Sequence, residues 1–407
     1  MKNIAIIGGG AAGFFAAITA KKQNKNNEVF IFERSKRVLA KVAITGGGRC
    51  NVTNSFNEIS SLTTAYPRGH KLLKRLFNIF DYTSCYQWFE EHGVKLITQE
   101  DNCVFPQSQD AQSIVQCLVN EAHNLGVKVI TDHWLENIEA QENGTICLHF
   151  KDKGKRCFDT VAITTGGSPR IEPLQYLAKC GHKIEQPVPS LFTFNINNNS
   201  LKSLMGTVIP NASLHIPGSK INSSGALLIT HWGISGPATL KLSSYAARIA
   251  KEQNYKIPIA INWANGFSIA EVETLLKDTI QNNPQKQISS IRFLDITNRV
   301  WTFLLSRADI DCQKKCNELS KKMINKLIET LTNDIYTTNG KGAFKEEFVT
   351  CGGVSLKSIH SNTLESKHIP NLYFAGEVLD IDAITGGFNL QAAWTTGYIV
   401  GLNIGKE

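Results

Sequence analysis

The stretch Lys2-Asn3-Ile4-Ala5-Ile6-Ile7-Gly8-Gly9-Gly10-Ala11-Ala12-Gly13 decides how this chain is read. Lys2 to Ile7 is a short apolar run bounded by glycine, which predicts a buried strand. Gly8, Gly10 and Gly13 then form G-x-G-x-x-G, and a helical pattern runs from about Ala11 to Lys22. A second strand, Glu28 to Phe32, ends in Glu33. Each glycine has a separate task. Gly8 permits the tight turn, Gly10 lets the backbone approach a pyrophosphate, and Gly13 lets the helix pack close to the strand. The helix N-terminus offers free N–H groups and a positive dipole end. Glu33 is placed to accept hydrogen bonds from a ribose diol. Strand, turn, helix and acid together predict a Rossmann-type dinucleotide site.

The same segment, Ile4 to Ala20, has 17 residues without a charge, which is near the lower limit of a membrane span. Three consecutive glycines interrupt it where a signal peptide needs a continuous apolar run. The reading is therefore a soluble, cytoplasmic protein with no membrane contact. The chain has 407 residues, 42% hydrophobic and 19% charged, with a net charge of +8. That balance excludes a disordered, collagen-like or heptad-dominated chain. Its basic residues are scattered, as in His70 to Arg75 and Lys314-Lys315, so a solvated surface is expected and nucleic acid is not the expected partner. Ten cysteines contain no C-x-x-C, which predicts reduced thiols.

Two further glycine loops extend the site. Thr45-Gly46-Gly47-Gly48-Arg49-Cys50-Asn51 follows the second strand and gives a backbone able to lie against a flat ligand. Arg49 is expected to offset phosphate or flavin charge. Near the C-terminus, Asn371 to Phe374 reads as a buried strand ending in Ala375-Gly376-Glu377. Thr385-Gly386-Gly387-Phe388-Asn389 opens a last helix, on which Leu390, Ala393, Trp394, Gly397 and Gly401 form a close-packing face. The N–H groups at Gly387 to Asn389 are expected to face the electron-rich edge of an isoalloxazine. A further strand, Thr160 to Ile163, leads to the small turn Thr165-Gly166-Gly167.

Gly8 to Gly13, Thr45 to Asn54, Leu228 to Pro237 and Gly376 to Gln391 together resemble one family, the bile-acid-inducible reductase (BaiN-type) flavoproteins. Many of its members are described as NAD(P)/FAD-dependent oxidoreductases or aminoacetone oxidases. The resemblance spans nearly the whole chain. It implies an α/β fold, a glutathione-reductase-like FAD-binding domain interrupted by a β-rich domain with a small helical subdomain. It also implies that Glu33 is the ribose acid, Lys41 the basic residue before the second glycine loop, and Leu135 a backbone partner of adenine. Relatives usually have Gly and a basic residue just before that lysine, whereas this chain has Leu39 and Ala40. The expected cofactor-binding set is Gly8, Gly10, Ala12, Gly13, Glu33, Arg34, Lys41, Thr45, Gly46, Gly47, Gly48, Arg49, Cys50, Asn51, Leu135, Gly166, Gly376, Glu377, Asp380, Gly387, Phe388 and Asn389.

The expected organisation is a first FAD-binding part at 1–189, a β-rich insert at 190–265 and a helical subdomain at 266–338. The chain then returns to the β-rich domain at 339–350, and 351–407 completes the FAD-binding part. In the helical stretch, Ser268 and Glu271 form an S-x-x-E capping box, followed by Val272, Leu275 and Leu276 on one face. His231-Trp232-Gly233-Ile234-Ser235-Gly236-Pro237 is the reactive-looking segment of the insert, and His231 is the candidate catalytic acid. Absences narrow the chemistry. Cys50 stands alone after the second strand, so dithiol exchange is not expected. No second dinucleotide fingerprint appears, and no compact metal-ligand spacing, so no metal is expected.

The functional expectation is an FAD-dependent oxidoreductase acting on a small molecule. Hydride would pass to a C=C bond conjugated with a ketone, with NAD(P)H as a transient donor. An amino-ketone oxidase and an RNA-modifying or RNA-binding flavoprotein are the alternatives. Oligomeric state is open.

Overall fold

The computed structural model describes residues 1–342 and 349–406. The chain folds as two compact units, Met1–Pro189 with Val349–Glu407, and Ser190–Phe348. The expected return segment 339–350 contains residues 343–348, which lie outside the described residues, as does residue 407.

In the first unit the decisive stretch forms β1 (Asn3–Ile7), α1 (Ala11–Gln23) and β2 (Glu28–Phe32). These join β3 (Lys128–Ile130), β4 (Thr160–Ile163) and β5 (Leu372–Phe374) in a sheet of order β5-β4-β1-β2-β3. Every pairing in it is parallel. Ile4, Ala5, Ile6, Ile31, Val161, Ala162 and Leu372 are essentially inaccessible; α1 packs against β1 and β2, and Phe30 and Phe32 of β2 lie against Phe150 and Phe158 of a separate antiparallel sheet. β5 comes from the far end of the chain and pairs with β4, so the two chain ends share one sheet.

The last helix, α2 (Phe388–Ile404), lies directly on α1. Gly397, Gly401 and Gly405 recur every four residues along it and let the two backbones meet. A Cβ on them would stand 2.4 Å from the Ala12 carbonyl oxygen, 2.5 Å from Thr19 Cβ and 2.7 Å from the Ala20 carbonyl oxygen. No side chain fits there. The expected close-packing face of the last helix is therefore real, and its partner is α1.

Smaller sheets surround this core. Thr53–Asn54 and Leu96–Thr98 flank Cys103–Pro106, and Leu135–Ala140 and Gly154–Phe158 flank Ile146–Phe150, all antiparallel. In the latter, register sets Cys147 opposite Cys157, with Cα atoms 4.0 Å apart, and the two form a disulfide. The expectation of reduced thiols throughout fails for this pair. Ten residues of separation conceal it, since only the hairpin register brings the two together. The other eight cysteines are thiols.

The second unit is built on a six-stranded antiparallel sheet. Its order is Phe194–Asn195, Gly233–Ser235, Asn222–Ile229, Val208–His215, Pro258–Asn262 and Asp334–Thr337. The helix Pro237–Glu252 packs on it through Ala238, Leu242, Ala246 and Ala250. The expected capping box at Ser268 and Glu271 is present at the start of Ile269–Gln281. Val272, Leu276 and Ile280 of that helix are buried, while Leu275 is turned to solvent.

The strand Asp334–Thr337 falls inside the stretch 266–338 expected to be helical. Its antiparallel pairing with Pro258–Asn262 is a long-range contact that no local pattern announces. Buried Asp334 anchors it by accepting from Trp263 Nε1 at 3.2 Å and the Tyr336 hydroxyl at 2.5 Å, and it pairs with Arg307 at 2.5 Å. The charge is buried only because it has these partners.

Candidate functional site

The loops at the carboxyl ends of β1, β2, β4 and β5 gather the glycine motifs, where ligands of open parallel sheets bind. Gly8 N–H donates to the Phe32 carbonyl at 2.8 Å, and Thr164 Oγ1 donates to the carbonyls of Ile7 at 3.0 Å and Gly8 at 2.9 Å. A Cβ on Gly8 would lie 2.4 Å from the Thr164 carbonyl oxygen, and one on Gly13 2.0 Å from the Gly8 carbonyl oxygen. Both glycines are therefore explained by the protein's own packing. Gly10 is different. A Cβ there meets no protein atom within 4 Å, and it stands at the start of α1, which has neither a side-chain cap nor an acid in its first turn. Ala12 turns inward, its Cβ lying 2.9 Å from where a Gly376 Cβ would stand, so its side chain packs rather than lining a site.

Glu33 is half-buried at the end of β2. It accepts from Gly9 N–H at 2.9 Å and from the N–H and hydroxyl of Ser35, each at 2.8 Å. Arg34 follows it on the surface, with its guanidinium 5.9 Å from the Trp134 ring. Leu135 is buried at the start of its strand.

Leu39 adopts a left-handed φ of 55° while its side chain is buried. Its N–H donates to the Gly9 carbonyl at 2.7 Å, tying this loop to the first glycine turn. The resemblance expects glycine here, and a positive φ is the backbone conformation glycine adopts most readily.

In the second glycine loop, Gly46, Gly47 and Gly48 all have positive φ, and Cβ atoms on Gly47 and Gly48 would meet nothing. Thr45 Oγ1 donates to the Val42 carbonyl at 2.9 Å, and the Thr45 carbonyl accepts from Cys50 N–H at 2.9 Å. Arg49 is exposed and is held by protein contacts. Its guanidinium lies 4.3 Å from the Phe105 ring and donates to the Gly46 carbonyl and to Gln109 Oε1, which helps close the loop. Cys50 is buried at a φ of 62°, and burial pushes its thiol up to about 12. It is not a nucleophile at neutral pH.

The C-terminal motif is placed against both loops. Glu377 accepts from Thr350 N–H at 2.8 Å, pairs with Lys41 at 3.2 Å, and crowds Gly167, whose Cβ would lie 2.4 Å from Glu377 Oε1. Lys41, Gly166 and Glu377 are thus brought together across the fold. Gly376 N–H donates to Thr396 Oγ1 at 2.8 Å, and Asp380 N–H to the Val354 carbonyl at 2.9 Å.

The start of the last helix is tied to the second glycine loop and to the loop before it. Asn51, with its amide oriented to satisfy its neighbours, donates to the carbonyls of Thr53 at 2.9 Å and Val104 at 3.2 Å. Its oxygen accepts from Gly387 N–H at 3.2 Å, so that N–H is already engaged. The Phe388 ring is buried edge-on against Phe56 and Tyr66, and its carbonyl accepts from the Tyr66 hydroxyl at 2.8 Å. Asn389 accepts from Ala383 N–H at 2.9 Å and donates to the Ala383 carbonyl at 3.1 Å, bracing the loop before α2.

Sequence reading missed a second set of supports. Buried Asp382 forms a two-pronged ion pair with Arg68, 314 positions away. Trp394 Nε1 donates to the Val52 carbonyl at 2.9 Å, and Thr53 Oγ1 to Gln391 Oε1 at 2.6 Å. No local signal marks these pairs. His231 lies in the second unit, in the exposed turn after Asn222–Ile229, with its ring edge-on to Trp232 at 4.2 Å. Thr230 braces the turn by accepting from Gly233 N–H at 3.1 Å. Among the described residues, no group of histidines, cysteines or acids is placed to hold a metal.

The open space at Gly10, Gly47 and Gly48 and the uncapped start of α1 fit a long phosphate-bridged dinucleotide with a flat ring. The family described as HI0933-like protein Rossmann domain matches residues 2–403. The chain belongs to that family. It is 26% identical to the 3-dehydro-bile acid delta(4,6)-reductase of Clostridium scindens, over 98% of each chain. It is 28% identical to the ribosomal RNA dihydrouridine synthase of Haemophilus influenzae, over 99% of this chain and 98% of that one. The structure superposes on 3-ketosteroid-delta4-(5alpha)-dehydrogenase from Rhodococcus jostii with a TM-score of 0.53 at 14% identity, covering 100% and 97% of the two chains. That likeness concerns the fold. As a member of the HI0933-like family, the chain is an FAD-dependent oxidoreductase with a Rossmann-type FAD-binding domain, as its BaiN-type resemblance implies. No helix among the described residues is long and apolar enough to cross a membrane.

Proposed function

We propose that this protein adds hydride and a proton across a C=C bond conjugated to a carbonyl, with NAD(P)H as the transient donor. One observation carries the reading. Two full-length relatives have names that describe this one transformation on different substrates. A delta(4,6)-reductase of a 3-keto steroid saturates an enone, and dihydrouridine is uridine with its carbonyl-conjugated ring double bond saturated.

FAD, when bound, supplies the hydride to the β-carbon of the acceptor. The chain's residues hold and orient it. The free N–H groups at the start of α1 take the pyrophosphate, Glu33 takes the ribose, and Lys41 and Glu377 flank the linker between phosphate and ring. The backbone of Gly46 to Gly48 lies open to the ring, and the braced loop from Ala383 to Asn389 sits behind it. His231 is the proposed proton donor to the α-carbon. Its turn is braced by Thr230, and the His231 side chain is exposed beside Trp232.

A purified sample should be yellow, and anaerobic NADH or NADPH should bleach it. The reduced protein should then be reoxidised faster by a conjugated enone than by oxygen. A flavin that neither nucleotide reduces would overturn the reductase reading, and faster turnover of an amino ketone with oxygen would favour an oxidase. His231→Gln should slow reoxidation by the enone while leaving flavin reduction by NAD(P)H unchanged. Equal slowing of both half-reactions would remove its role as proton donor.

A second reading, with uridine in ribosomal RNA as the acceptor, is supported by the Haemophilus relative and by the +8 charge. It predicts RNA binding that weakens steeply with salt. Dihydrouridine formed in added rRNA, with no turnover of steroid enones, would favour it over a small-molecule acceptor.

A further inference from the structure

A cavity of about 520 Å³ opens in the first unit, at a place that neither the glycine motifs nor the family resemblance accounts for. It lies between the helix Tyr82–Glu91 and the small sheet of Thr53–Asn54, Cys103–Pro106 and Leu96–Thr98. Small-molecule sites typically measure about 300–1,000 Å³, so the space is ample for a ligand. Register sets Thr53, Val104 and Thr98 side by side across the three strands, and they share one face. Phe105 belongs to the other face, where its ring lies 3.0 Å from the position of a Cβ on Gly46. The cavity and the second glycine loop are therefore on opposite sides of this sheet.

The walls grade from a buried floor to an anionic rim. Thr53 and Val104 are inaccessible and form the floor, with the Thr53 hydroxyl already donating to Gln391 Oε1 at 2.6 Å. Tyr82 and Tyr86 stand one turn apart on the helix, whose opposite face buries Cys85, Trp88 and Phe89. Both rings are held by the protein. Tyr82 stacks on Phe56 at 5.1 Å, and the Tyr86 hydroxyl donates to the Leu96 carbonyl at 2.9 Å.

Glu90 and Glu91 form the exposed rim. Glu91 accepts from Gln87 Nε2 at 2.7 Å, and among the described residues neither carboxylate has an ion-pair partner. Among those residues, no lysine or arginine lines the cavity. The two acids also occupy the last turn of their helix, which holds no basic residue. Unpaired backbone carbonyls there add to the negative potential and favour a cation. Tyrosine faces favour one as well.

We propose that this cavity binds a small organic cation, an amine carrying an apolar body. The body fills the space between the tyrosine rings and the floor, and the ammonium group stays at the rim with Glu90 and Glu91. The polarity of the walls sets this orientation, since the floor offers carbon and an engaged hydroxyl while the rim holds both charges. The site is separate from the proposed redox reaction and does not depend on it.

The test uses the full-length, flavin-loaded protein and three probes of similar shape: tryptamine, a cation; tryptophol, neutral; and indole-3-acetate, an anion. Calorimetry and saturation-transfer NMR read the binding of each. Tryptamine should bind roughly fivefold more tightly than tryptophol, the size expected of two exposed ion pairs, and indole-3-acetate should bind most weakly. The double variant Glu90→Gln with Glu91→Gln, altered only at exposed positions, should bring tryptamine down to the affinity of tryptophol. Thr98→Trp, which sets a large ring in the cavity, should abolish binding of both while the spectrum of the bound flavin stays unchanged. Equal affinity for the three probes, or no binding of tryptamine, would overturn the proposal. A preference for tryptamine that survives the double glutamine substitution would overturn it too, because the amine would then be held elsewhere.

Discussion

Replacing Gly10 by alanine separates what the first glycine turn does for the fold from what it does for the ligand. Gly10 has φ −98° and ψ −167°, extended backbone that any residue adopts. A Cβ built on it touches no protein atom within 4 Å. The folding cost is therefore limited to changing a helix N-cap from Gly to Ala, at most about 1 kcal/mol. The ligand cost is larger. The new methyl occupies the open space at the start of α1, where the pyrophosphate must come within hydrogen-bond distance of backbone N–H groups. Losing one such charge-assisted bond costs about 1.5–3 kcal/mol, or roughly 10- to 150-fold in Kd. Gly13→Ala is the contrasting variant. Its Cβ would stand 2.0 Å from the Gly8 carbonyl oxygen, so strand and helix must part by about 1.4 Å to restore an ordinary contact of about 3.4 Å. Urea unfolding of the flavin-free proteins, paired with FAD titration, reads both effects. Gly10→Ala should unfold near the wild-type midpoint and bind FAD at least tenfold more weakly, whereas Gly13→Ala should lose stability before any ligand is added. A Gly10→Ala protein of normal stability that binds FAD within threefold of wild type would refute the placement of the pyrophosphate at α1.

Three other expectations follow from the packing. Gly401→Ala sets a methyl 2.5 Å from Thr19 Cβ and 2.7 Å from the Ala16 carbonyl oxygen. Overpacking of about 1–3 kcal/mol then exceeds the helix-propensity gain of about 1 kcal/mol, so Tm should fall by several degrees; an unchanged or higher Tm would show that α1 and α2 can separate freely. Asp382→Ala leaves Arg68 buried without its carboxylate, a loss of about 3–5 kcal/mol, and calorimetry showing less than about 1 kcal/mol would mean that Arg68 finds other solvation. Burial lowers the pKa of His182, whose ring nitrogens bond the Leu177 carbonyl and the Ser366 hydroxyl. The unfolded chain therefore binds the proton more readily, and the stability due to neutral His182 is full above about pH 6.5 and declines as pH falls below it. Urea midpoints from pH 7.5 to 5.5 should drop less in His182→Gln than in wild type, and parallel curves would discard this residue as a source of acid sensitivity.

Residues near one another in sequence carried most of the legible information. The strand, glycine turn, helix and terminal acid from Asn3 to Glu33 form one local unit, and its backbone demands can be read from residue type and spacing. The same holds for the capping box at Ser268 and the small-residue face of the last helix. Type and spacing say which side chains are absent, and a glycine leaves an unambiguous trace. They do not say where a present side chain turns. Arg49 was read as offsetting phosphate or flavin charge, and no spacing announced that its guanidinium lies over Phe105, which arrives from a strand more than fifty residues later. Backbone N–H groups were read at Phe388 and Asn389, whereas their side chains turn elsewhere, the ring against Phe56 and Tyr66 and the amide onto Ala383.

By itself, then, the sequence determined the dinucleotide turn, its polarity along the strand, and the lack of a paired thiol beside Cys50. Tertiary structure alone decided that the chain's two ends share a sheet, that Cys147 meets Cys157, that Asp382 finds Arg68, and that Trp134 faces Arg34 beyond Glu33. The physical reason is the range of the forces involved. Turn geometry and helix capping act over a few bonds, so local sequence encodes them. Ion pairing, ring stacking and strand register act between groups that only the folded chain brings within a few ångströms.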